Sequence, residues 1–340
     1  MEEARPPIDR MFEIVTSYWI SRAVYAGTAL GLPDLVAGGP KTATELAELT
    51  GSDPRALARL LRALAGVGLF RADEQGRYAA TDLGDTLRAE VPGSLASFVL
   101  MELGEAHHSA WGEIVHAVQS GQPAFDKAVG KKIWEFFETT PVMAAHLGKA
   151  MGGLTAMVAE AVLDVYDFSP YRKIVDVGGG EGAFLGSILA SHPAGRGVVF
   201  DLPPTVDKGR PAIAGAGLAD RCELVGGDFF QSVPDGGDLY LMKWVLHDWN
   251  DESCVEILTN CRKAMRDDAR LLVVETIVPD GDDFSPSKII DLNMMVLTTG
   301  QERTAGEFRA LLSAAGFTVT RMLPTQSPSS VIEAAPVPLG

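Results

Sequence analysis

Cysteine, basic charge and long apolar runs are all scarce in this chain of 340 residues. Its three cysteines form no CxxC pair and are odd in number, which argues against a disulfide scaffold or a zinc knuckle and indicates a reducing compartment. Lysine and arginine total 29 against 45 aspartates and glutamates, a net charge of −16. Because such a surface repels a phosphate backbone, nucleic-acid binding would need a locally basic face.

Nothing in the sequence marks a targeting or membrane segment. Residues 1–10 carry Glu2, Glu3 and Asp9 where a signal peptide has basic residues before an apolar run. No uninterrupted apolar run reaches the roughly 18 residues that a membrane-spanning helix needs. With 46% hydrophobic and 22% charged residues the composition is globular, and the length favours two domains. We expect a cytoplasmic protein that contacts no membrane.

The first 95 residues have the pattern of a winged helix. Apolar residues at helical spacing over residues 11–37 predict a helix face that something must cover. A helix, a turn, a second helix and a two-stranded wing then follow, which is the order of elements in a winged helix. These elements are a helix over 42–50, a helix that begins at the N-cap Asp53 with Pro54 and ends near Gly66, and a hairpin of 69–70 with 78–79.

A winged helix suggests DNA binding, but the charge of this segment does not. Between Lys41 and Glu90 there are seven basic and eight acidic residues, a net charge of −1. Most nonspecific DNA affinity comes from positive charge, which this segment lacks. A dimerisation role is the better interpretation.

From Lys173 onward, short apolar runs alternate with helical segments, after a helical stretch over 95–165. This alternation predicts an α/β fold with a parallel sheet covered on both faces. The last two runs have no helix between them, so the sheet is expected to close with an antiparallel hairpin. The seven predicted strands are 173–177, 197–201, 222–225, 239–245, 271–277, 317–322 and 331–334.

The first of these strands runs directly into a glycine turn and then a helix. Gly178, Gly180 and Gly182 permit positive φ and a close approach of the backbone to a ligand, so we expect Gly178 and Gly180 to bind a cofactor. The spacing is not GxGxxG, and no lysine follows in a GxxxxGK pattern, which excludes a phosphate-binding P-loop. Dinucleotide sites use a similar turn, so the glycines alone leave the ligand open.

Two acidic residues end the second and third predicted strands. Asp201 is suited to accept hydrogen bonds from both ribose hydroxyls of NAD or of S-adenosylmethionine. Asp228 is suited to an adenine amino group, with Phe229 packed on the ring. Either aspartate alone is an ordinary residue of a strand end, but together behind the glycine turn they predict a nucleoside site.

The fourth predicted strand delivers Lys243 and His247 to its carboxyl end, where open α/β sheets bind ligands. A lone histidine is most often structural, and we interpret His116, His146 and His192 in that way. His247 differs because its strand is expected to lie beside the glycine-loop strand, so that the imidazole faces the same crevice.

Five segments in order, DVGGGEG, FDLP, GDFF, LMKWVLHDWND and GQERT, resemble the O-methyltransferase family of plant caffeate and bacterial polyketide enzymes over roughly residues 10–335. The resemblance implies an S-adenosylmethionine-dependent enzyme of class I methyltransferase fold. Its Rossmann-like seven-stranded sheet would follow a mostly helical winged-helix dimerisation domain that forms a homodimer. The predicted domains are the dimerisation domain (1–95), a helical linker that contributes to the substrate pocket (96–165) and the catalytic domain (166–340).

The resemblance also implies residue roles. Gly178, Asp201, Asp228, Phe229 and Lys243 would contact the cofactor, His247 would be the general base, Glu275 and Glu302 would flank it, and Met151 and Met294 would clamp an aromatic acceptor. The segment 101–111 departs from the family pattern, so the acceptor's identity does not carry over. His107 and His108 either line the acceptor pocket or pack in the core, and we predict His108 to be a pocket residue.

The leading hypothesis is therefore O-methylation of a phenolic small molecule, with His247 removing the proton and without a metal. Asp291 and Asn293 are two apart on a predicted helix and would not face each other around an ion. Low lysine with abundant alanine, glycine and arginine indicates a bacterial source and natural-product biosynthesis. The alternatives are an S-adenosylmethionine-binding relative that hydroxylates, decarboxylates or cyclises, a ligand-sensing transcription factor, and an NAD dehydrogenase.

Overall fold

The structure, a computed structural model, describes residues 6–337. Contacts divide the chain into two compact units, residues 6–109 with 134–153 and residues 110–133 with 154–337. The stretch expected as a linker, 96–165, is thus shared between the two units, and the two boundaries between the three predicted domains stay a prediction.

The first unit begins with the winged-helix module. Thr42 forms a capping box with Glu45 at the start of α3, and Asp53 caps α4 directly before Pro54, as the sequence predicts. The wing has one strand more than predicted, because β1 pairs with β3 in a three-stranded antiparallel sheet of order β1-β3-β2. The elements are α1 (Pro7–Ala29), α2 (Leu32–Leu35), β1 (Lys41–Thr42), α3 (Ala43–Thr50), α4 (Pro54–Gly66), β2 (Phe70–Ala72), β3 (Arg77–Ala80) and α5 (Asp82–Asp85).

Helix α1 carries the apolar face that the sequence predicts. The predicted helical region is interrupted after Ala29, because Gly31 adopts a left-handed φ of 65°. Leu57, Leu61 and Leu64 of α4 are buried in the module's core. By contrast, Phe12 and Trp19 of α1 are 66% and 58% exposed, so this face is uncovered within the described chain.

The predicted helical stretch consists of six helices. Five of them are short, and only the last is long. They are α6 (Ala96–Glu102), α7 (Glu105–Gly112), α8 (Ile114–Ser120), α9 (Ala124–Val129), α10 (Ile133–Thr139) and α11 (Pro141–Leu163). Among the described residues, α11 is the one helix that is long and apolar enough to cross a membrane by length and composition alone. A core helix passes the same test, so the absence of a membrane contact stays a prediction.

The second unit contains the main sheet, with strand order β10-β11-β8-β7-β4-β5-β6. Strands β4 to β8 are parallel, and β11 and β10 are antiparallel, which confirms the predicted α/β fold with its closing hairpin. Ile174 packs into one buried cluster and Val175 into the other, so both faces of the sheet are covered. The elements are β4 (Lys173–Val177), α12 (Ala183–Ser191), β5 (Arg196–Asp201), α13 (Pro203–Gly215), β6 (Cys222–Gly226), β7 (Leu239–Lys243), α14 (Asp251–Ala264), β8 (Arg270–Val278), α15 (Pro286–Leu297), β9 (Arg303–Thr304), α16 (Ala305–Ala314), β10 (Phe317–Pro324) and β11 (Ser329–Pro336).

Two details of this sheet differ from the prediction. The strand expected over 239–245 ends at Lys243, because Trp244 takes a left-handed φ of 56° and turns the chain out of the sheet. A two-residue strand, β9, adds to the seven predicted ones by pairing in parallel with the end of β8. Both differences lie where the predicted catalytic residues are.

Candidate active site

A turn built from glycine follows β4. Gly178, Gly180 and Gly182 have φ of 71°, 59° and 83°, in the region that favours glycine, and α12 starts directly behind them. At Gly178 a Cβ atom would lie 2.7 Å from a methyl carbon of Val245, so no side chain fits there. Gly178 is therefore required by its φ and by its packing against Val245, whereas nothing lies within 4 Å of the Cβ position at Gly180, so the backbone there is open to a ligand.

Asp201 ties this turn to the end of β5. Its Oδ2 accepts a hydrogen bond from the Gly180 backbone N–H at 2.8 Å, and its Oδ1 accepts one from Leu202 at 2.7 Å. Burial raises the pKa of the Asp201 carboxyl, although these two hydrogen bonds lower it. Two of the predicted cofactor residues, Gly180 and Asp201, are thus in direct contact.

The third cofactor segment follows β6. Asp228 Oδ1 accepts from the Phe230 backbone N–H at 2.9 Å, which closes a tight turn. Phe229 comes within 3.7 Å of the Cβ position at Gly178, so its ring lies beside the glycine turn. Asn260 of α14 donates to the carbonyls of Phe229 and Phe230 at 3.0 and 2.9 Å and so fixes this turn from behind.

Lys243 ends β7 next to β4, as expected. Its Nζ lies 4.0 Å from the centre of the Trp244 ring. Burial lowers the pKa of Lys243 to about 8, and burial raises the pKa of Asp176 on β4 to about 7. Asp176 Oδ2 has no hydrogen-bond partner among residues 6–337, so a buried acidic oxygen is left unsatisfied below the glycine turn.

His247 lies on a single 3₁₀ turn, Leu246–Asp248, that begins two residues after Trp244 with its left-handed φ. Glu275 of β8 shapes this turn, because its Oε1 accepts from two consecutive backbone N–H groups, those of Val245 and Leu246, at 2.9 Å each. The same carboxylate reaches the imidazole: its Oε2 lies 3.7 Å from His247 Nδ1.

Glu302 makes the closer contact with the imidazole. His247 Nδ1 donates to Glu302 Oε1 at 2.9 Å. The side chains of Glu275 and Glu302 are 0% and 1% exposed, whereas that of His247 is 18% exposed. Its other nitrogen, Nε2, lies 3.6 Å from Asp248 Oδ1, which is too long for a hydrogen bond. The imidazole is therefore held at Nδ1, and Nε2 has no hydrogen-bond partner among residues 6–337.

The charges around His247 shift its acid–base equilibrium strongly. Burial by itself lowers the pKa of His247, but the charges of Glu275 and Asp248 and the hydrogen bond with Glu302 raise it to about 10. Burial raises the pKa of Glu275 to about 7 and that of Asp248 to about 6, against the lowering effect of the imidazole. The site is thus a base whose protonated form the carboxylates stabilise.

Three residues of this cluster also have the spacing of metal ligands. One ligand atom each of His247, Glu275 and Glu302 lies within 4.8 Å of the others. The distance of 2.9 Å between Nδ1 and Oε1 is that of a hydrogen bond, which a metal ion at Nδ1 would replace. Asp291 and Asn293 are used elsewhere: Asp291 accepts from the Glu302 backbone N–H at 2.9 Å, and Asn293 accepts from the Trp111 indole N–H at 2.8 Å.

The predicted acceptor residues are not brought together within one unit. Met151 on α11 and His108 on α7 belong to the first unit, whereas Met294 on α15 belongs to the second. His108 is exposed, and His107 is buried with its ring 6.4 Å from that of Phe137. His107 therefore packs in the first unit, and the acceptor roles of Met151, Met294 and His108 stay predictions.

Four residues near the site were not singled out from the sequence. Asp176 and Asp248 lie within the segments DVGGGEG and LMKWVLHDWND, and Arg303 lies within GQERT, so a closer reading of those segments could have found them. Asn260 lies in the middle of α14, and no motif in the sequence marks it.

A parallel sheet with a closing antiparallel hairpin, a glycine turn behind its first strand and an acidic residue behind its second are the features that the resemblance to class I methyltransferases implies. Residues 111–318 match the family model of the O-methyltransferase domain, and residues 12–90 match that of the O-methyltransferase dimerisation domain. The chain therefore belongs to the O-methyltransferase family and has its dimerisation domain.

The relatives act on more than one kind of atom. The chain is 41% identical to phenazine O-methyltransferase PhzM of Lysobacter antibioticus, over 96% of each chain. It is 33% identical to phenazine-1-carboxylate N-methyltransferase of Pseudomonas aeruginosa, again over 96% of each. A crystal structure of the O-methyltransferase NcsB1 of neocarzinostatin biosynthesis, with S-adenosylmethionine and 2-hydroxy-5-methyl naphthoic acid, matches with a TM-score of 0.80, 31% identity and coverage of 93% of this chain and 96% of that one. The enzyme class and the cofactor predicted from the sequence are thus confirmed.

Proposed function

We propose that this protein transfers a methyl group to a hydroxyl of a phenolic or related aromatic small molecule in bacterial natural-product biosynthesis, with His247 as the general base. The observation that carries the proposal is the contact of 2.9 Å between His247 Nδ1 and Glu302 Oε1. A buried carboxylate at Nδ1 fixes the ring and its tautomer and leaves Nε2 as the basic nitrogen, as in a serine-protease triad.

The role of the base follows from the chemistry of phenols. A phenol has a pKa of about 10, so only about one molecule in a thousand is ionised at pH 7. When the phenolic O–H bond breaks, the oxygen keeps the electron pair and Nε2 of His247 takes the proton. The imidazolium that results is stabilised by the carboxylates of Glu275 and Glu302.

The raised pKa of His247 favours this transfer. An ordinary imidazole, with a pKa of about 6.5, is a far weaker base than a phenolate. A pKa of about 10 for His247 is close to that of a phenol, so transfer of the phenolic proton to Nε2 is nearly balanced once His247 has lost its own proton, which most of the free enzyme holds at pH 7. The buried charges therefore match the base to its substrate class.

The cofactor residues fit S-adenosylmethionine, which supplies an activated methyl group when bound. Asp201 would accept from the ribose hydroxyls with the lone pairs that Gly180 and Leu202 leave free. Asp228 and Phe229 would contact the adenine, Gly178 lies beside Phe229, and Gly180, with nothing within 4 Å of its Cβ position, would let the cofactor approach the backbone. Lys243 would lie at the carboxyl end of β7, beside the same turn.

Methylation of an aromatic nitrogen is the second candidate, because the relative from Pseudomonas aeruginosa is named for that reaction. A ring nitrogen of that kind already holds a free electron pair and needs no base. The pairing of His247 with Glu302 is useful for a hydroxyl, which must lose a proton, and so favours oxygen as the acceptor. A hydroxylation, decarboxylation or cyclisation would likewise not need this base.

The test is a panel of hydroxybenzoates, hydroxynaphthoates, hydroxyphenazines and phenazine carboxylates, each incubated with methyl-labelled S-adenosylmethionine. We expect label in at least one product, with the carbon shift of an aryl methyl ether in its NMR spectrum. Label on nitrogen would support the second candidate instead. A product altered without gain of label would mean that the fold has been turned to other chemistry.

We propose in addition that the uncovered face of α1 is covered by a second copy of the chain. The dimerisation domain includes this helix, and exposed apolar faces of this kind mark interfaces. The expected homodimer buries more than roughly 2,000 Å², as obligate pairs do. Light scattering at micromolar concentration should give twice the chain mass, whereas a stable monomer would contradict the proposal.

A further inference from the structure

Directly beside the hydrogen-bonded pair of His247 and Glu302, one arginine is completely buried. Arg303 is 0% exposed, and its guanidinium donates to the carbonyl of Leu246 and to the carbonyl of Trp249, each at 2.9 Å. These two carbonyls lie on either side of His247 and Asp248. The guanidinium therefore spans the back of the 3₁₀ turn and holds it at both ends.

Two further N–H groups of Arg303 donate to the next helix. Its Nε and Nη2 donate to Asp251 Oδ1 at 3.0 and 2.7 Å, at the first residue of α14. The Asp251 side chain is 65% exposed, so the buried cation is paired with a carboxylate at the surface. Arg303 thus fixes the turn with His247 and the start of α14 as one block.

A glycine three residues earlier presses against the same turn. At Gly300 a Cβ atom would lie 1.9 Å from the His247 carbonyl oxygen and 2.5 Å from the Asp248 carbonyl carbon. No positive φ requires glycine at this position, so the reason for it is the close approach of the two backbones. The segment 300–303 therefore lies directly against the peptide that carries the imidazole.

The same short segment supplies Glu302, whose backbone is held in turn by Asp291. We propose that Gly300 and Arg303 are positioning residues for proton transfer: they fix the backbone around His247 so that the imidazole meets Glu302 at Nδ1 and keeps Nε2 free. The proposal rests on the proposed role of His247 as the base. It gives the GQERT segment three separate tasks, of which only that of Glu302 involves the imidazole directly.

The geometry also explains why arginine is needed. Its planar fork reaches both carbonyls and Asp251 at the same time, whereas a lysine ammonium is a single point charge on a flexible stem. Arg303→Lys keeps the charge but loses one of the two carbonyl contacts. Gly300→Ala keeps all hydrogen bonds but pushes the turn away. Both substitutions should therefore displace the imidazole from Glu302 by different routes.

The test uses full-length protein labelled with ¹⁵N-histidine and saturated with S-adenosylhomocysteine. His247→Gln identifies the Nδ1–H resonance of His247, and a pH titration then follows it. We expect a hydrogen-bonded Nδ1–H signal and a titration midpoint well above 6.5 in the unaltered protein. In Arg303→Lys and in Gly300→Ala the midpoint should fall by about one pH unit or more, because the imidazole moves away from the carboxylates.

Kinetics provide the second readout. With the best acceptor of the hydroxyaromatic panel, kcat of both variants should fall about tenfold or more, and KM for S-adenosylmethionine should not change. Asp251→Asn is the milder variant for the case in which Arg303→Lys does not fold, because it weakens the grip of Arg303 from an exposed position. It should cause a smaller change in the same direction.

Two matched controls separate positioning from general stability. Arg262 is 5% exposed and donates to the backbone carbonyls of Met265 and Val337, about 16 Å along α14 from Asp251. Gly306 has nothing closer to its Cβ position than an oxygen at 3.9 Å. Arg262→Lys and Gly306→Ala should leave the His247 midpoint and kcat unchanged, even where Arg262→Lys lowers the melting temperature.

The outcomes distinguish this inference from the function on which it rests. If the midpoint and kcat are unchanged in Arg303→Lys, Gly300→Ala and Asp251→Asn, the positioning role is wrong although His247 can still be the base. If Arg262→Lys changes them equally, the effect is one of stability and the inference is overturned. If His247→Ala itself retains normal turnover, His247 is not the general base. The proposed function is then wrong in this respect, and the inference that rests on it is wrong too.

Discussion

The two ends of the active site in the second unit are built in opposite ways. At the cofactor end, backbone does most of the work: three glycines with positive φ form the turn, and Asp201 is held by two backbone N–H groups. At the base end, side-chain charges dominate, since His247 lies among the carboxylates of Glu275, Glu302 and Asp248. The cofactor end is thus defined by the shape of its backbone, and the base end by the charges of its side chains.

This difference determines how each end responds to substitution. A backbone-built site keeps its shape when one side chain is lost, so the expected loss is affinity. A charge-built site depends on each member, because a buried carboxylate without its partner is strongly destabilised. Loss of one charged group should therefore change rate and pH dependence more than affinity.

The largest effect is expected at the base. His247→Ala should lower kcat by about 10²-fold or more and leave S-adenosylmethionine affinity nearly intact, because the proposed role of the imidazole is to take the acceptor's proton. His247→Gln should be impaired as well, since an amide cannot take up the proton. Steady-state kinetics and calorimetry on the same preparations measure both quantities.

Acceptor acidity sharpens this result. A nitro-substituted phenol ionises without help, so His247→Ala should impair its methylation less than that of an ordinary phenol, and the residual activity should rise with pH. Near-normal turnover of an ordinary phenol by both variants would show that the site works by proximity alone. The interpretation of Glu275 and Glu302 as partners of the base would then be wrong too.

At the cofactor end, Asp201→Ala should weaken S-adenosylmethionine binding by about 1–3 kcal/mol, the value of hydrogen bonds to a charged group. Titration calorimetry measures it directly. Asp207→Ala is the matched control, because Asp207 lies on the neighbouring α13 with its side chain 64% exposed. Equal affinities for the two variants would remove Asp201 from the cofactor site.

The contrast between the two ends also explains what the sequence could predict. The cofactor end is local in sequence, since a strand, a glycine turn and a strand-end aspartate are each readable from a few residues. The fold and the positions of Gly178 in the turn and Asp201 at the end of β5 were predictable for that reason, while their cofactor roles stay a prediction. The hydrogen bonds from Arg303 to the turn that carries His247 were not predictable, because they join segments that meet only in the folded sheet. The end of β7 at Lys243 was missed because a tryptophan gives no sign of a left-handed φ.

The pH dependence of stability tests the charges around His247 at the base end. The pKa of His247 is raised to about 10 from an ordinary value of about 6.5, so its contribution to folding is fully present below pH 6.5 and is lost as the pH rises through about 10. The melting temperature of the unaltered protein should therefore exceed that of His247→Gln most at low pH. Calorimetric scans between pH 6 and pH 10 should show the gap closing, and a gap that widens would reverse the assigned direction.

The smallest expected effect is that of a chelator. The base end has the spacing of metal ligands, with one atom each of His247, Glu275 and Glu302 within 4.8 Å. A proton on Nδ1 satisfies the contact with Glu302 at 2.9 Å and leaves Nε2 basic, whereas an ion at Nδ1 would take the place of that proton. We therefore expect EDTA treatment followed by gel filtration to leave kcat within about twofold of the untreated enzyme, because the proposed base is a proton acceptor and would need no Lewis acid. The control is the same treatment followed by added Mg²⁺ or Zn²⁺. A loss of activity that the added ion restores would mean that Glu275 and Glu302 hold a metal ion. The base end would then be a metal site and not the site of a general base.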